Sequence, residues 1–336
     1  MQRTIAILCI ISTVATLACG EFILYDDAKE EVLSEKLIQQ INSNEKSTWK
    51  AGRNTRFEGM TVGQLRTMLG AKTDGINQLP KIQHDAATLA SAPASFDPRK
   101  TRPNCTGPVL DQGFCGSCWA FGATEAITDR LCISGGQKKF LQLAPLDLTS
   151  CDSGFFSGEN GCQGGQLGGA WNYAKKTGLV DEACYPYLKS QGGPVPTCQP
   201  DAQPCLPESK FIPTPSCTKK CANGADWETS KHKLKNVYSI QPSQLMAELS
   251  ANGPVESAFT VYADFVHYKS GVYSHQTGSA LGGHAIKVIG YGTENGTDYW
   301  LVQNSWTTTW GDGGYFKIKR GSDECGIEDN FIAGTF

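Results

Sequence analysis

The sequence QGFCGSCWAF, residues 112–121, places two cysteines, Cys115 and Cys118, two residues apart. Thiols at this spacing fit three kinds of chemistry: a redox pair, half of a zinc site, or a structural cysteine beside a catalytic one. A zinc site needs four clustered ligands, and the next histidine downstream is His232, so zinc has weak support. A helical redox pair usually follows a strand in a βαβ unit, and no such context is visible here.

A helix that begins at Cys118 would activate its thiol. The positive end of the helix dipole and the free backbone N–H groups both favour the thiolate, which is the nucleophilic form. Gly113 and Gly116 allow a tight turn and keep the approach to the sulfur open. Cys115 precedes this helix and could be locked in a disulfide.

A nucleophilic cysteine also needs a base and a group that orients the base. His284 is the best-placed histidine, because it follows two glycines and opens the apolar strand HAIKVIGYG. Asn304 ends the next predicted strand, and an antiparallel pairing would bring it beside His284. Each residue alone also fits a plainer interpretation, a surface histidine or a turn asparagine. The other histidines that follow Cys118 are His232, His267 and His275.

The elements that must position these residues change from helix to strand along the chain. Helices are predicted from Cys118 to Cys132, through Ala170, Trp171 and Ala174 up to Gly178, and after Pro242. Strands are predicted at VESAFTVY, HAIKVIGYG, YWLVQNSW and GYFKIKR, with turns at Asn295-Gly296 and Gly311 to Gly314. Residues 194–215 contain seven prolines, which excludes a regular helix or a central strand, so we expect a tied-down surface loop there.

Residues 21–91 are free of cysteine, charged and mostly helical in pattern. Thr61 is a candidate cap for a second helix that stops at Gly70. The composition changes at PASFDPR, residues 93–99, which marks a candidate boundary. One helix face would carry Val32, Leu33, Leu37, Ile38 and Ile41, and the second helix would carry Val62, Leu65 and Leu69.

The first twenty residues predict the compartment. Residues 1–20 have a basic start, an apolar run and small residues for cleavage, so we expect a signal peptide, and no other segment is long enough to span a membrane. The chain has fourteen cysteines, and the twelve beyond the signal predict a disulfide framework whose pairing the spacing does not give. The net charge of −3 and the lack of a basic run argue against a nucleic-acid partner. We expect the secretory pathway, with a lysosomal or extracellular destination.

Motifs along nearly the whole chain resemble the papain-like cysteine peptidases, family C1, and within them the cathepsin B branch. The motif CGSCW with distant His and Asn carries the resemblance to the family. TWKAG at residues 48–52 resembles the pro-segment. The cathepsin B resemblance rests on DQGFCGSCWAFGATEAITDR, GCQGG, NGPVESAFTVYADFVHYKSGVY, GGHAIKVIGYG, ENGTDYWLVQNSW and CGIE.

The resemblance implies a fold and a set of roles. The fold would be α+β and two-lobed, with a helical lobe at residues 92–185, an antiparallel, β-barrel-like lobe at residues 186–336, and the cleft between them. A pro-segment, residues 21–91, would block that cleft. Cys118 would be the nucleophile, His284 the base, Asn304 its orienter and Gln112 an oxyanion donor, without a metal or other cofactor. The substrate-binding residues would be Gly164, Gly165, Ala285, Trp306 and Asn330, with Trp306 also shielding Asn304.

The resemblance also implies disulfides, which leave Cys118 and Cys325 unpaired. A small local bridge of cathepsin B is missing, because Asp152 replaces its first cysteine. Asn104 and Asn295 are glycosylation sequons, and the first is doubtful because Cys105 would be in a disulfide. The implied pairs are Cys105–Cys132, Cys115–Cys162, Cys151–Cys217, Cys184–Cys221 and Cys198–Cys205.

Two further parts of the sequence depart from cathepsin B. Its occluding loop binds the C-terminal carboxylate of substrates through two adjacent histidines, whereas the loop CQPDAQPC, residues 198–205, has Pro200 and Asp201 there. An aspartate repels a carboxylate, so we expect mainly endopeptidase activity. Asn330 replaces a glutamate at the floor of the S2 pocket, which predicts a weaker preference for Arg at P2.

The expected partners are protein and peptide substrates, the pro-segment as an inhibitor that acid would release, and cystatin-type inhibitors, with the enzyme a monomer. A catalytically silent relative is disfavoured, because all the catalytic residues are present. A secreted thiol oxidoreductase would instead need Cys115 free to react with Cys118.

Overall fold

The computed structural model describes residues 27–73, 78–135, 140–152, 159–195 and 212–336. The helices are α1 (Glu35–Ser43), α2 (Val62–Thr67), α3 (Ala86–Ser91), α4 (Pro98–Thr101), α5 (Cys118–Ile133), α6 (Pro145–Cys151), α7 (Leu167–Lys176) and α8 (Pro242–Asn252). The strands are β1 (Trp49–Ala51), β2 (Ala71–Lys72), β3 (Gly165–Gln166), β4 (Asn236–Ser239), β5 (Val255–Tyr262), β6 (Tyr268–Tyr273), β7 (Ala280–Glu294), β8 (Thr297–Gln303), β9 (Tyr315–Lys319) and β10 (Ile332–Thr335).

Helix α5 is the centre of the helical part of the fold. Its residues are buried without a break from Cys118 to Leu131, and a helix that is covered on every side belongs to the core of a large domain. It packs against α6 and α7 on one side and against strands β5 and β7 on the other. The predicted helix from Cys118 to Cys132 is therefore present, and its first residue faces the junction between the helices and the main sheet.

The main sheet contains eight of the described strands in the order β1-β6-β9-β8-β7-β5-β10-β4. Its neighbours are antiparallel, except for the parallel pair β6 and β9. The α+β class is confirmed. Among the described residues the sheet ends at β1 and at β4, so it is open rather than closed into a barrel.

The predicted strands and turn lie where the alternation of side chains placed them. VESAFTVY is β5, HAIKVIGYG lies within β7, and β8 and β9 contain most of the other two. The turn between β7 and β8 has positive φ at both Asn295 and Gly296, the conformation that suits a two-residue hairpin turn. This hairpin fixes the register in which Lys287 lies opposite Gln303, three residues from His284 and one residue from Asn304.

The N-terminal segment, defined here as residues 27–91, differs in detail from expectation. Helix α1 begins at Glu35, since Ser34 caps it by accepting the N–H of Leu37, so Val32 and Leu33 precede the helix although both are buried. Helix α2 has the expected cap at Thr61, in a capping box with Gln64. It ends at Thr67, before Leu69, and the N–H groups of Met68 and Leu69 close its last turn on the carbonyls of Leu65 and Arg66.

Two short strands join the N-terminal segment to the rest of the protein. Strand β1 pairs with β6, placing Trp49 opposite Gly271, and β2 pairs in parallel with β3, placing Ala71 opposite Gly165. No helix within the described ranges combines the length and apolar character that a membrane crossing requires.

Four of the five expected disulfides are present in the structure. Cys118 and Cys325 are free thiols. The expected Cys198–Cys205 pair lies outside the described residues. The bonded pairs are Cys105–Cys132, Cys115–Cys162, Cys151–Cys217 and Cys184–Cys221.

Candidate active site

Cys118 is the first residue of α5 and is fully buried. Ser117 precedes it without making a side-chain cap, so the first N–H groups of the helix stay available. The N–H groups of Trp119, Ala285 and Gly70 face the sulfur. Cys118 therefore lies where the helix dipole and several backbone donors can stabilise a negative charge.

Cys115 does not face Cys118 as a redox partner. It is bonded to Cys162, in the turn that precedes β3, and the N–H of Gly116 donates to the carbonyl of Cys162 at 2.9 Å. This link fixes the loop before α5 against the turn that leads into β3. The motif therefore consists of one structural and one free cysteine, and the oxidoreductase alternative loses its second thiol.

His284 and Asn304 are adjacent, as the predicted pairing of their strands required. The distance between His284 Nε2 and Asn304 Oδ1 is 2.7 Å, and the N–H of Ser305 also donates to that oxygen at 2.8 Å. His284 Nδ1 is buried and has no hydrogen-bond partner in the described part of the chain. Because Nε2–H donates to Asn304, Nδ1 carries the lone pair of the ring. Nδ1 is therefore the nitrogen that can accept a proton from another group.

Trp306 covers the His284–Asn304 pair. Its ring stacks on the imidazole with centroids 4.5 Å apart and an angle of 27°, and it is completely buried. The hydrogen bond between His284 and Asn304 is thus kept from water, where it is worth more than in an exposed site. The other histidines lie elsewhere: His275 contacts Asp264, and His267 lies under the N-terminal segment.

Gln112 is held rigidly beside this pair. Its Oε1 accepts a hydrogen bond from Ser305 Oγ at 2.7 Å, which fixes the direction of the amide. Its Nε2 donates to two carbonyl oxygens, those of Cys115 and of Met68, each at 2.9 Å. Met68 belongs to the N-terminal segment, so a peptide carbonyl already occupies the donor to which the resemblance gave the role of binding an oxyanion.

A tyrosine that the sequence did not reveal supports the Gln112 loop. The hydroxyl of Tyr187 donates to the backbone carbonyl of Gln112 at 3.0 Å and lies 2.6 Å from Ser117 Oγ. It thus connects the oxyanion donor to the residue before Cys118. Ser305 was detectable from its position between Asn304 and Trp306, but no local signal points to Tyr187.

The N-terminal segment fills the cleft, and the two are in contact through glycines. The carbonyl of Gly70 accepts the N–H of Gly165 at 2.9 Å. A Cβ at Gly70 would overlap the carbonyl oxygen of Gly116, and a Cβ at Gly165 would lie 2.5 Å from the Trp119 ring. Gly164 has φ of +103°, which disfavours any side chain. The cleft at Cys118 is therefore shaped to hold an extended backbone between glycine surfaces.

Burial controls the ionisation of Cys118 and His284 in this closed form. It raises the pKa of the Cys118 thiol to about 11, although the N–H groups of Ala285 and Gly70 lower it. It also lowers the pKa of His284 to about 4, although the hydrogen bond to Asn304 raises it. With the cleft filled, burial therefore favours the neutral thiol of Cys118 and the neutral imidazole of His284.

The remaining predicted residues are placed as follows. Ala285 is buried beside the Cys118 sulfur. Asn330 is half-buried after the last 3₁₀ turn, and its Nδ2 donates to the carbonyls of Gly326 at 3.0 Å and Ala258 at 3.3 Å. Asn104 and Asn295 are both exposed, and the neighbour of Asn104, Cys105, is in a disulfide. Among the described residues no cluster of three or more His, Cys, Asp or Glu could hold a metal ion.

Comparisons with known proteins assign two regions of the chain. Residues 92–335 match the papain family cysteine protease domain, and residues 33–75 match the peptidase family C1 propeptide. Cathepsin B of Dictyostelium discoideum is 44% identical over 292 residues, which cover 85% of this chain and 88% of that protein. A cathepsin B-like cysteine proteinase of Schistosoma japonicum is 40% identical over 325 residues, covering 90% of this chain and 91% of that one.

A solved structure has the same arrangement of both regions. A procathepsin B from Trypanosoma congolense superimposes with a TM-score of 0.79 at 34% identity, over 91% of this chain and 99% of that chain. The family match extends over far more than half of the sequence and includes the stretch from Gln112 to Asn304. The chain therefore belongs to the papain family of cysteine proteases, as a cathepsin B-like member with a propeptide.

Proposed function

We propose that the protein is the zymogen of a cysteine endopeptidase in which Cys118 attacks a peptide carbonyl. The observation that carries this proposal is the Met68 carbonyl on Gln112 Nε2 at 2.9 Å, two residues before Gly70, whose N–H faces the Cys118 sulfur, because a peptide group there occupies the place of a scissile bond. The N-terminal segment, within the proposed pro-segment of residues 21–91, excludes substrates, and the mature domain begins near residue 92.

Release of the N-terminal segment lets water reach Cys118 and His284. The burial that keeps the Cys118 pKa high and the His284 pKa low is then reduced, so the thiol proton moves to His284 Nδ1. The product is a thiolate beside an imidazolium that donates through Nε2–H to Asn304. The closed form is thus inactive for two reasons: its cleft is filled, and Cys118 and His284 are un-ionised.

In the reaction the thiolate adds to the carbonyl carbon and forms a tetrahedral oxyanion, which Gln112 Nε2–H stabilises. One such donor contributes about 3 kcal/mol to transition-state stabilisation. The imidazolium of His284 gives its proton to the leaving amine, and the C–N bond breaks to leave a thioester on Cys118. Water, deprotonated by His284, then hydrolyses the thioester. Gly164 and Gly165 line the acyl side of the cleft.

The substrate preference follows from Asn330 and its neighbours. The side chain is neutral and donates to backbone carbonyls. The nearby Glu328 accepts hydrogen bonds from Trp300 Nε1 and the N–H of Gly321 at one oxygen and from the N–H of Asp323 at the other, so its charge is engaged locally. We therefore expect apolar P2 residues to be used relatively better than Arg.

Endopeptidase activity rests on the sequence of residues 198–205, which lie outside the described residues. A dipeptidyl carboxypeptidase needs a free substrate carboxylate, so the test compares internally quenched peptides with a free and with an amidated C-terminus. We expect acid-matured enzyme to cut both internally at similar rates and Cys118→Ser to cut neither. Rapid removal of C-terminal dipeptides from the free acid only would refute the endopeptidase assignment. We also propose the secretory pathway, with the lysosome or the outside as destination.

A further inference from the structure

An arginine of the N-terminal segment is buried against the cleft. Arg56 lies in a 3₁₀ turn, Thr55–Phe57, and its side chain is only 4% exposed. Its Nη2 is 3.4 Å from Asp111 Oδ1 and donates to the carbonyl of Gly113 at 3.2 Å. The guanidinium carbon lies 5.3 Å from the centre of the Phe114 ring. A carboxylate, a carbonyl and an aromatic face thus surround one cation.

These three groups adjoin the oxyanion donor. Asp111 directly precedes Gln112 and forms an antiparallel bridge with Trp306. The N–H of Gln112 donates to the carbonyl of Ser305 at 3.0 Å. The cation therefore lies on the wall of the cleft that Trp306 forms.

The order of contacts along the N-terminal segment shows which side of Cys118 this is. Phe57 packs edge-on against Trp306 at 5.2 Å, Met68 reaches Gln112, and Ala71 lies opposite Gly165. In the proposed mechanism Gly165 lines the acyl side of the cleft, so Trp306, at the opposite end of this series of contacts, lines the other. His284, stacked on Trp306, protonates the amine that leaves. The groups around Arg56 are therefore on the leaving-group side.

We infer that Asp111, the Gly113 carbonyl and Phe114 form a subsite for a Lys or Arg side chain on the leaving-group side of the substrate. The inference rests on the proposed endopeptidase function and names a determinant of its specificity. Within the described ranges the ion pair of Asp111 is with Arg56, so departure of the N-terminal segment leaves this carboxylate without its cation. A substrate cation restores the pair, whereas an acidic residue there is repelled.

The test uses internally quenched peptides that carry Arg, Gln or Glu in turn at each of the first three positions after the scissile bond. A hydrogen bond between two charged groups is stronger than one in which a partner is neutral. We therefore expect Arg to exceed Gln in kcat/KM by roughly tenfold at one of these positions, with Glu below Gln. Asp111→Asn should bring the Arg/Gln ratio close to one, since an amide oxygen still accepts the N–H of Gly113 but carries no charge.

Two further variants separate the subsite from general damage. Asp312→Asn, at an exposed carboxylate in the turn between β8 and β9, should keep the wild-type ratio. Phe114→Leu keeps the carboxylate but removes the aromatic face and should reduce the ratio about threefold. A wild-type ratio near one at all three positions, or an unchanged ratio in Asp111→Asn, overturns the inference while the endopeptidase assignment stands. Failure to cut any of the peptides refutes that assignment and the inference with it.

Discussion

His267 is predicted to weaken the docking of the N-terminal segment as the pH falls. The ring is buried, and its Nε2 accepts the backbone N–H of Ser34 at 2.8 Å while Nδ1–H donates to the carbonyl of Ala263 at 3.1 Å. Protonation turns Nε2 into a donor that faces another donor. The same loop holds Asn54 Nδ2 and the N–H of Gly52 through its carbonyls, so a loss at His267 affects the whole contact.

The sign follows from the direction of the pKa shift. Burial lowers the pKa of His267 below its ordinary value of 6.5, against the carboxylates of Asp264 and Glu35, which raise it. Undocking exposes the ring, so in the undocked form His267 binds a proton that it does not bind in the docked form. Docking is therefore fully stable above about pH 6.5 and loses stability as the pH falls towards the lowered pKa. Leaving a buried donor unsatisfied costs about 1–3 kcal/mol, or roughly 5- to 150-fold in the docking equilibrium.

The assay follows labelling of Cys118 in the intact zymogen by an epoxide, from about pH 7 to about pH 4. Each rate is divided by that of the matured enzyme at the same pH, which removes the ionisation of the thiol itself. In wild type the normalised rate should rise by roughly 5- to 150-fold. His267→Gln keeps a neutral acceptor for Ser34 and should lose most of this rise, whereas His232→Gln should retain it. Identical profiles for wild type and His267→Gln would refute the role of this histidine.

Three other predictions concern the cleft. Gly70→Ala forces a Cβ onto the carbonyl of Gly116, so at neutral pH the zymogen should label and mature faster than wild type, measured with the same epoxide. Tyr187→Phe removes one neutral hydrogen bond to the Gln112 carbonyl and should lower kcat by about two- to tenfold at nearly constant KM, measured on a peptide substrate. Asn330→Glu should raise kcat/KM for Arg-Arg relative to Phe-Arg substrates, and an unchanged ratio would place the floor of the S2 pocket elsewhere.

The chemistry of the site was predictable where it depends on local pattern. The glycines before Cys118 and the apolar run after it predicted a helix that begins at the thiol. The apolar strand at His284, which in the structure begins four residues earlier at Ala280, and the hairpin at Asn295-Gly296 predicted that Asn304 would lie beside the imidazole. In both cases the signal is a short-range periodicity or turn, which the sequence carries directly.

The contacts that close the cleft were not predictable in this way. Strands β1 and β2 have three and two residues and exist through their pairing with β6 and β3, so no local alternation marks them. The hydrogen bond from Tyr187 to Gln112 joins residues 75 apart in sequence. The ionisation of Cys118 depends on how completely Gly70 and its neighbours exclude water, which is a property of packing between distant segments.

Strand β1 has a consequence for the protein after activation. It covers one side of β6, where the N–H of Val272 donates to the carbonyl of Thr48 at 2.8 Å and the Val272 carbonyl accepts the Thr48 hydroxyl. Removal of the N-terminal segment turns these groups to solvent and leaves β6 as an unprotected outer strand, a template on which another chain can add by β-augmentation. Lys269, at this margin, places a charge that discourages self-association. Maturation thus opens a cleft for substrates and, in the same step, exposes the edge of β6 as a second surface for binding another strand.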